Sequence, residues 1–163
     1  MLGDPRVIEC LNDVLTNELT AVNQYYLHYA MQKNWGYTRL ADTSYHESID
    51  EMKHADLLIH RLLFLEGHPN LQRLNPLRIG ETVPEQLEAD MGVEVKAMAD
   101  LRRGIEVCRE VGDTVTRILF ERILESEEEH VDYLETQISL VQSLGEPLYL
   151  AQQVEPGAGS SQG

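Results

Sequence analysis

Glu51-Met52-Lys53-His54 and Glu127-Glu128-Glu129-His130 are the two stretches on which the reading of this sequence turns. Each sets a carboxylate and an imidazole three residues apart. On an α-helix that spacing brings both groups to one face, where together they can grip one ion. Of the six histidines, only His54 and His130 have Glu three residues before them. Each pair also has a partner acid upstream at the same distance: Glu18 precedes Glu51 by 33 residues, and Glu94 precedes Glu127 by 33. Adding 76 to positions 18, 51 and 54 gives 94, 127 and 130. The segments NELTAVNQ around Glu18 and VEVKAMAD around Glu94 are weakly alike. The chain therefore reads as a duplicated helical hairpin whose halves close a pseudo-two-fold site.

The sequence around these positions supports helices. Gly and Pro are sparse within long stretches and cluster between them, which marks four long helices. The first is expected from about Asp4 to Lys33, with Pro5 suited to a first turn and Asn34-Trp35-Gly36 as its stop. The second runs from about Tyr37 to Glu66, before Gly67-His68-Pro69. The third starts near Val83-Pro84 with Thr82 as N-cap and ends before Gly112. The fourth runs from Asp113 to Leu144 and meets Gly145-Glu146-Pro147. A short fifth helix is expected over Leu148 to Val154. The stretch from His68 to Glu81 is longer than neighbouring antiparallel helices need. Two short connections around one long one predict an all-α, four-helix bundle with a long crossover between helices 2 and 3. The domain is expected over 1–155, with the low-complexity PGAGSSQG of 156–163 as a flexible tail.

The acids fall on the inward faces. The apolar stripe reads Val7, Leu11, Val14, Glu18, Val22, Tyr25, Tyr29 on the first helix, and Leu87, Met91, Glu94, Met98, Leu101, Ile105, Cys108 on the third. On the fourth it reads Phe120, Ile123, Glu127, His130, Leu134, Ile138. These steps of three and four keep one side inward. A lone buried carboxylate costs several kcal/mol, so something must neutralise each of these acids. Four carboxylates and two imidazoles suit two hard-to-borderline cations. Iron and manganese fit best, since zinc prefers fewer ligands in a tetrahedron.

Composition narrows the rest. The 163 residues suit one domain able to bury a core. A formal net charge of −15 argues against binding nucleic acid phosphates and favours attraction of cations. No long apolar run and no basic leader are visible, so no membrane span and a cytoplasmic location are expected. Cys10 and Cys108 fit no metal or redox spacing and read as small buried thiols.

With these residues placed, the chain resembles the bacterioferritins, the haem-containing ferritin family, over nearly its whole length. The resemblance implies a ferritin-like fold and a ferroxidase centre of two iron ions per subunit on Glu18, Glu51, His54, Glu94, Glu127 and His130. It implies that Tyr25 stands beside that centre, hydrogen-bonding a ligand carboxylate and supplying an electron. It implies iron storage and detoxification: Fe(II) is oxidised by oxygen or peroxide and kept as ferric mineral inside a homo-oligomeric shell of 24 subunits built from two-fold dimers. It further implies haem b shared between two subunits, with Met52 of each as axial ligand. Met52 follows Glu51 and so points about 100° away from the metal face. Tyr45, Ile49, Met52 and Ile59 make a second apolar stripe, which a single helix in a bundle does not need and a partner subunit would cover. By the same resemblance, His46 and Asp50 match inner-surface iron ligands, and Asn34, Glu66, Asp132 and Thr136 match a pore lining. A small iron–sulfur ferredoxin would supply electrons. Leu58 and Tyr133 depart from the tyrosine and tryptophan found in some members. The competing readings are a haem-free ferritin, a di-iron oxygenase or manganese catalase-like enzyme, and a non-catalytic haem or scaffold protein.

Overall fold

The computed structural model describes residues 1–154 and is helical throughout its elements: α1 (Pro5–Trp35), α2 (Thr38–Phe64), α3 (Val83–Val111), α4 (Thr114–Leu144) and α5 (Glu146–Ala151). The tail expected over 156–163 lies outside the described residues. The long helices begin and end where the local chemistry directs. The Asp4 carboxylate accepts from Arg6 N at 2.8 Å ahead of Pro5, and the Thr82 hydroxyl accepts from Glu85 N at 3.3 Å ahead of Pro84. The Asp113 carboxylate accepts from Thr116 N at 3.0 Å. Such side-chain caps satisfy amides that have no partner inside the helix. Gly36 and Gly112, with φ of 91° and 78°, end α1 and α3 in the left-handed region that glycine enters without a Cβ clash.

The bounds of three helices differ from the sequence reading, among them α2, which ends at Phe64 rather than Glu66. Helix α1 runs on to Trp35, because the break lies at Gly36 alone. Helix α5 starts at Glu146 rather than Leu148 and stops at Ala151. Pro147 sits in its first turn, where a missing N–H costs nothing, so only Gly145 interrupts the chain.

The hydrogen bonds fix the topology. Arg6 pairs with Glu110, Asp13 with Arg103, Asn17 with Asp100, Gln24 with Asp90 and Gln32 with Gln86. Numbers rising along α1 meet numbers falling along α3, so the two helices are antiparallel. The crossover between α2 and α3 must then travel the length of the bundle, and α1 holds it at every turn. Asn12 Nδ2 donates to His68 O at 3.1 Å, and Arg73 Nε donates to Thr16 Oγ1 at 2.9 Å. The backbone N–H groups of Asn75, Arg78 and Gly80 donate to Thr20 Oγ1, Gln24 Oε1 and His28 Nε2, each at 3.0 Å. Positions 12, 16, 20, 24 and 28 form a column one turn apart. Gly80 is required at the end of this ladder, because a Cβ there would lie 2.3 Å from Gln86 N.

One end of the bundle is dry. Val7, Leu11, Val14, Leu15, Ala55, Leu58, Leu62, Leu101, Ile105, Phe120 and Ile123 form one buried cluster there. Both cysteines are free and join it. Gly104 lets Phe120 lie against α3, since a Cβ would meet Phe120 Cε2 at 2.7 Å. A smaller cluster of Leu40, Val83, Leu87, Leu134 and Tyr149 closes the other end, with α5 folded over it. Several residues assigned to the inward stripes are only half-buried: Val22, Tyr29, Met91, Met98 and Ile138. In the upper half of α1 the inward positions belong to Gln24, His28 and Gln32. Among the described residues, no helix is long and apolar enough to cross a membrane.

Candidate metal centre

Between the two apolar clusters, all four long helices turn a carboxylate inward. Glu18 of α1, Glu51 of α2, Glu94 of α3 and Glu127 of α4 are each at most 1% exposed. Their helices hold them there because each sits on the same 3.6-residue stripe as the leucines and valines above and below. His54 and His130 follow on α2 and α4, one turn beyond Glu51 and Glu127, as the i, i+3 spacing requires.

The donor atoms fall into two overlapping groups, each within 4.8 Å. One is Glu18, Glu51, His54 and Glu127; the other is Glu51, Glu94, Glu127 and His130. Glu51 and Glu127 belong to both, so these two carboxylates are placed to bridge a pair of ions. Glu18 with His54 caps one side, and Glu94 with His130 caps the other. Moving each member of one group by one repeat gives the other group, which is the pseudo-two-fold expected from the duplicated register.

His54 Nδ1 lies 3.1, 3.5 and 3.6 Å from oxygens of Glu127, Glu51 and Glu18. His130 Nδ1 lies 2.9, 3.4 and 3.6 Å from oxygens of Glu51, Glu94 and Glu127. These are ion-pair distances without hydrogen-bond geometry. Eight buried donor and acceptor atoms of the six residues have no hydrogen-bond partner: both oxygens of Glu18 and of Glu51, one each of Glu94 and Glu127, and both Nδ1 atoms. Buried polar atoms in folded proteins are nearly always paired. Convergent lone pairs of this kind fit cations.

The electrostatics agree. Burial pushes Glu94 up to about 8, helped by repulsion from Glu127. Burial works against charge on His54, yet the Glu127 and Glu51 carboxylates outweigh it and push the imidazole up to about 9. His130 is raised further by the same balance, with Glu127, Glu51 and Glu94 around it. Protons thus stand where positive charge is wanted. The Tyr25 hydroxyl donates to Glu94 Oε1. Burial, with the Glu94 carboxylate beside it, pushes the phenol well above its ordinary value.

A model for the ferritin-like domain matches residues 8–144. The chain is 53% identical over 152 residues to the bacterioferritin of Mycobacterium leprae (strain TN), covering 93% of this chain and 96% of that one. It is 53% identical over 149 residues to the bacterioferritin of Brucella melitensis, covering 91% and 92%. It is 52% identical over 155 residues to that of Streptomyces coelicolor, covering 95% and 93%. The chain belongs to the bacterioferritins.

The other residues singled out from the sequence lie around this centre. Asp50 is about half-exposed, with its carboxylate 3.8 Å from His130 Nε2. His46 is exposed and packs edge-on against Tyr45, ring centroids 5.7 Å apart. Among the described residues, His46 and Asp50 form no ion pair with each other. Met52 is 42% exposed and Tyr45 38%, so this part of the second stripe faces outward; Ile49 is half-buried, and Ile59, also half-buried, packs against the dry core. Asn34, Glu66, Asp132 and Thr136 are all exposed. Leu58 is fully buried in the dry core, and Tyr133 is half-buried.

Sequence reasoning missed Glu47. It lies one turn before Glu51 on the same face and is 9% exposed. Burial pushes its carboxyl up to about 8, against the pull of His130. Its i, i+4 relation to Glu51 was the available signal.

Proposed function

We propose that this bacterioferritin chain is a ferroxidase subunit of an iron store. The observation that carries the reading is the pair of four-donor groups sharing Glu51 and Glu127, with eight buried atoms left without partners. Fe(II) is the substrate. Glu51 and Glu127 hold two ions side by side, and Glu18 with His54 and Glu94 with His130 complete one site each. A set of four carboxylates favours Fe(III) over Fe(II), so the protein drives oxidation by stabilising the more highly charged product. Each Fe(II) gives up one electron, and the pair delivers two electrons to oxygen or to peroxide. Metal binding displaces the protons that His54, His130 and Glu94 carry. Tyr25 positions Glu94 through its hydroxyl and stands ready to supply an electron. Asp50, beside His130, and the exposed His46 take iron onward to the storage space, and Asn34, Glu66, Asp132 and Thr136 line its way in.

Twenty-four copies, built from two-fold dimers, enclose that space. The stripe of Tyr45, Ile49, Met52 and Ile59 is the dimer surface. It fits haem b, because it offers a weakly basic thioether amid apolar side chains. Met52 from each of two copies would hold the iron, and the group would pass electrons from a small iron–sulfur ferredoxin to stored ferric iron.

The test is oxygen-dependent oxidation of Fe(II) by the assembled protein. Replacing Glu18 and Glu94 together by Ala should slow the initial phase at least about 100-fold, roughly 2.7 kcal/mol of barrier. An unchanged rate would sink the ferroxidase reading. For haem, Met52→Leu should abolish the bis-methionine absorption bands of protein supplied with haem, and their absence from the parent protein would remove haem from the proposal.

A further inference from the structure

A second opening lies on the edge of the crossover, away from the carboxylates. Where the crossover passes between α1 and α3, Asn75, Pro76 and Arg78 wall a cavity of about 330 Å³ with Asn17, Thr20, Gly92, Val93 and Lys96. The chain carries 28 acids against 13 Lys and Arg, yet this lining holds two cations, Arg78 and Lys96, and no carboxylate. An adjoining cavity of about 300 Å³ shares Asn17, Asn75 and Lys96 and adds Arg73 and Arg103. There Asp13 binds both arginines, at 2.8 and 2.7 Å, and Asp100 lies 3.0 Å from Lys96 Nζ. Arg78 forms no ion pair among the described residues, so its charge is left for a ligand.

Gly92 is the second sign. It lies inside the 29-residue helix α3, where glycine is a poor helix former. Packing explains Gly104 on the same helix, whose Cβ would strike Phe120. Packing does not explain Gly92, since a Cβ there would meet no atom within 4 Å. Gly92 is exposed and lines the cavity, so a large side chain there would crowd it. The walls are also preformed. Arg78 N donates to the buried Gln24, Asn75 N donates to the buried Thr20, and Asn75 Nδ2 donates to Asn17 Oδ1 at 2.9 Å. Preformed walls spare a ligand the cost of ordering them.

We propose that this cavity binds a small organic phosphate, its phosphate on Arg78 and Lys96 and a ring or other apolar body against Val93 and Pro76. The volume is that of a small-molecule site and exceeds what inorganic phosphate needs. Chance anion binding is disfavoured by a net charge of −15. The lining includes none of the six metal-site donors, so occupancy here stands or falls independently of the iron reading.

The test is calorimetric titration of the assembled, iron-free protein with AMP, adenosine and inorganic phosphate at low ionic strength. AMP should bind saturably, one per subunit, at least tenfold more tightly than either of the other two. Arg78→Gln with Lys96→Gln should weaken AMP at least tenfold. Gly92→Leu, which keeps both charges and favours the helix, should do the same by crowding the cavity. Fe(II) oxidation should be unchanged in both variants. Adenosine or inorganic phosphate binding as tightly as AMP would overturn the proposal. So would AMP binding that neither variant weakens.

Discussion

Asn12, Thr16, Thr20, Gln24 and His28 rise along one column of α1 and each meets a partner from the crossover, whereas Glu18, on the neighbouring column, meets only other acids and imidazoles. Both sets bury polar atoms in the same helix. The column is closed at all but one atom: Gly80 N–H donates to His28 Nε2, which puts the imidazole proton on Nδ1, 2.9 Å from Asp90 Oδ1 but without hydrogen-bond geometry. Gln24 Nε2 donates to the same carboxylate oxygen at 2.8 Å. The nest around Glu18 is open, with eight atoms waiting. Satisfied burial marks a structural joint, and unsatisfied burial marks a place for a ligand.

The sharpest way to break that distinction is to open the closed set. His28→Leu leaves the Gly80 N–H without its partner and the buried Asp90 carboxylate with Gln24 alone. Leaving a buried donor or acceptor without its partner costs about 1–3 kcal/mol. The variant should lose that much in urea denaturation. The protein that remains folded should still take up two Co(II) per subunit, because none of the six donors touches His28. A loss below about 1 kcal/mol would show that the ladder contributes little and that the crossover is held by packing instead.

Closing the open set should act in the opposite direction. In metal-free protein, Glu18→Ala with Glu94→Ala removes two buried carboxyl groups from a nest whose negative charge is offset only by protons on His54, His130 and Glu94. Replacing buried charges by apolar groups is often stabilising by about 1–4 kcal/mol. The cavities left by truncation subtract from that gain, so a net rise of about 1–2 kcal/mol is expected from these two opposing effects. The same variant loses oxidation, so function and metal-free stability should part company here and nowhere in the ladder. Destabilisation of the metal-free variant would mean that the nest is held by proton-bridged carboxylates rather than left waiting for cations.

The two sets were not equally legible in the sequence. The six donors could be read because their chemistry repeats: Glu-x-x-His twice, with Glu18 and Glu94 in matched register, on stripes that local periodicity turns inward. Helix ends were legible at Gly36 and Gly112, where one residue carries the whole signal. The ladder was not, although its steps of four are as regular. Asn, Thr, Gln and His at such spacing read as a solvated face until the partner is known, and the partner is an irregular segment more than 50 residues away. For the same reason Gln24, His28 and Gln32 displaced Val22 and Tyr29 from the inward face of upper α1. Propensity cannot say that a buried glutamine has a backbone N–H to meet. The dimer stripe shows the converse, since Met52 and Tyr45 are exposed in one chain and only a second copy would give them an inside.

Titration gives the smallest effect and separates the sets without mutation. His54, pushed up to about 9 by Glu127 and Glu51 against the opposing effect of burial, holds its charge more tightly folded than unfolded. Its stabilising contribution is complete below its ordinary 6.5 and is lost as pH rises through about 9. Glu94, pushed up to about 8 by burial and Glu127, favours the folded state while protonated. Its contribution is complete below its ordinary 4.5 and is lost as pH rises through about 8. Both have the same sign. The Tm of metal-free protein should therefore fall between pH 6.5 and 9, by about 2–4 °C for each kcal/mol lost in a chain of this size. Saturation with Co(II) should reverse the slope, because a bound cation replaces the protons and is held better as they leave. The ladder holds none of the six metal donors, so Co(II) should leave its hydrogen bonds unchanged. Scanning calorimetry of the two forms across this range would decide, and parallel curves would show that the nest binds protons and metal no differently from the rest of the core.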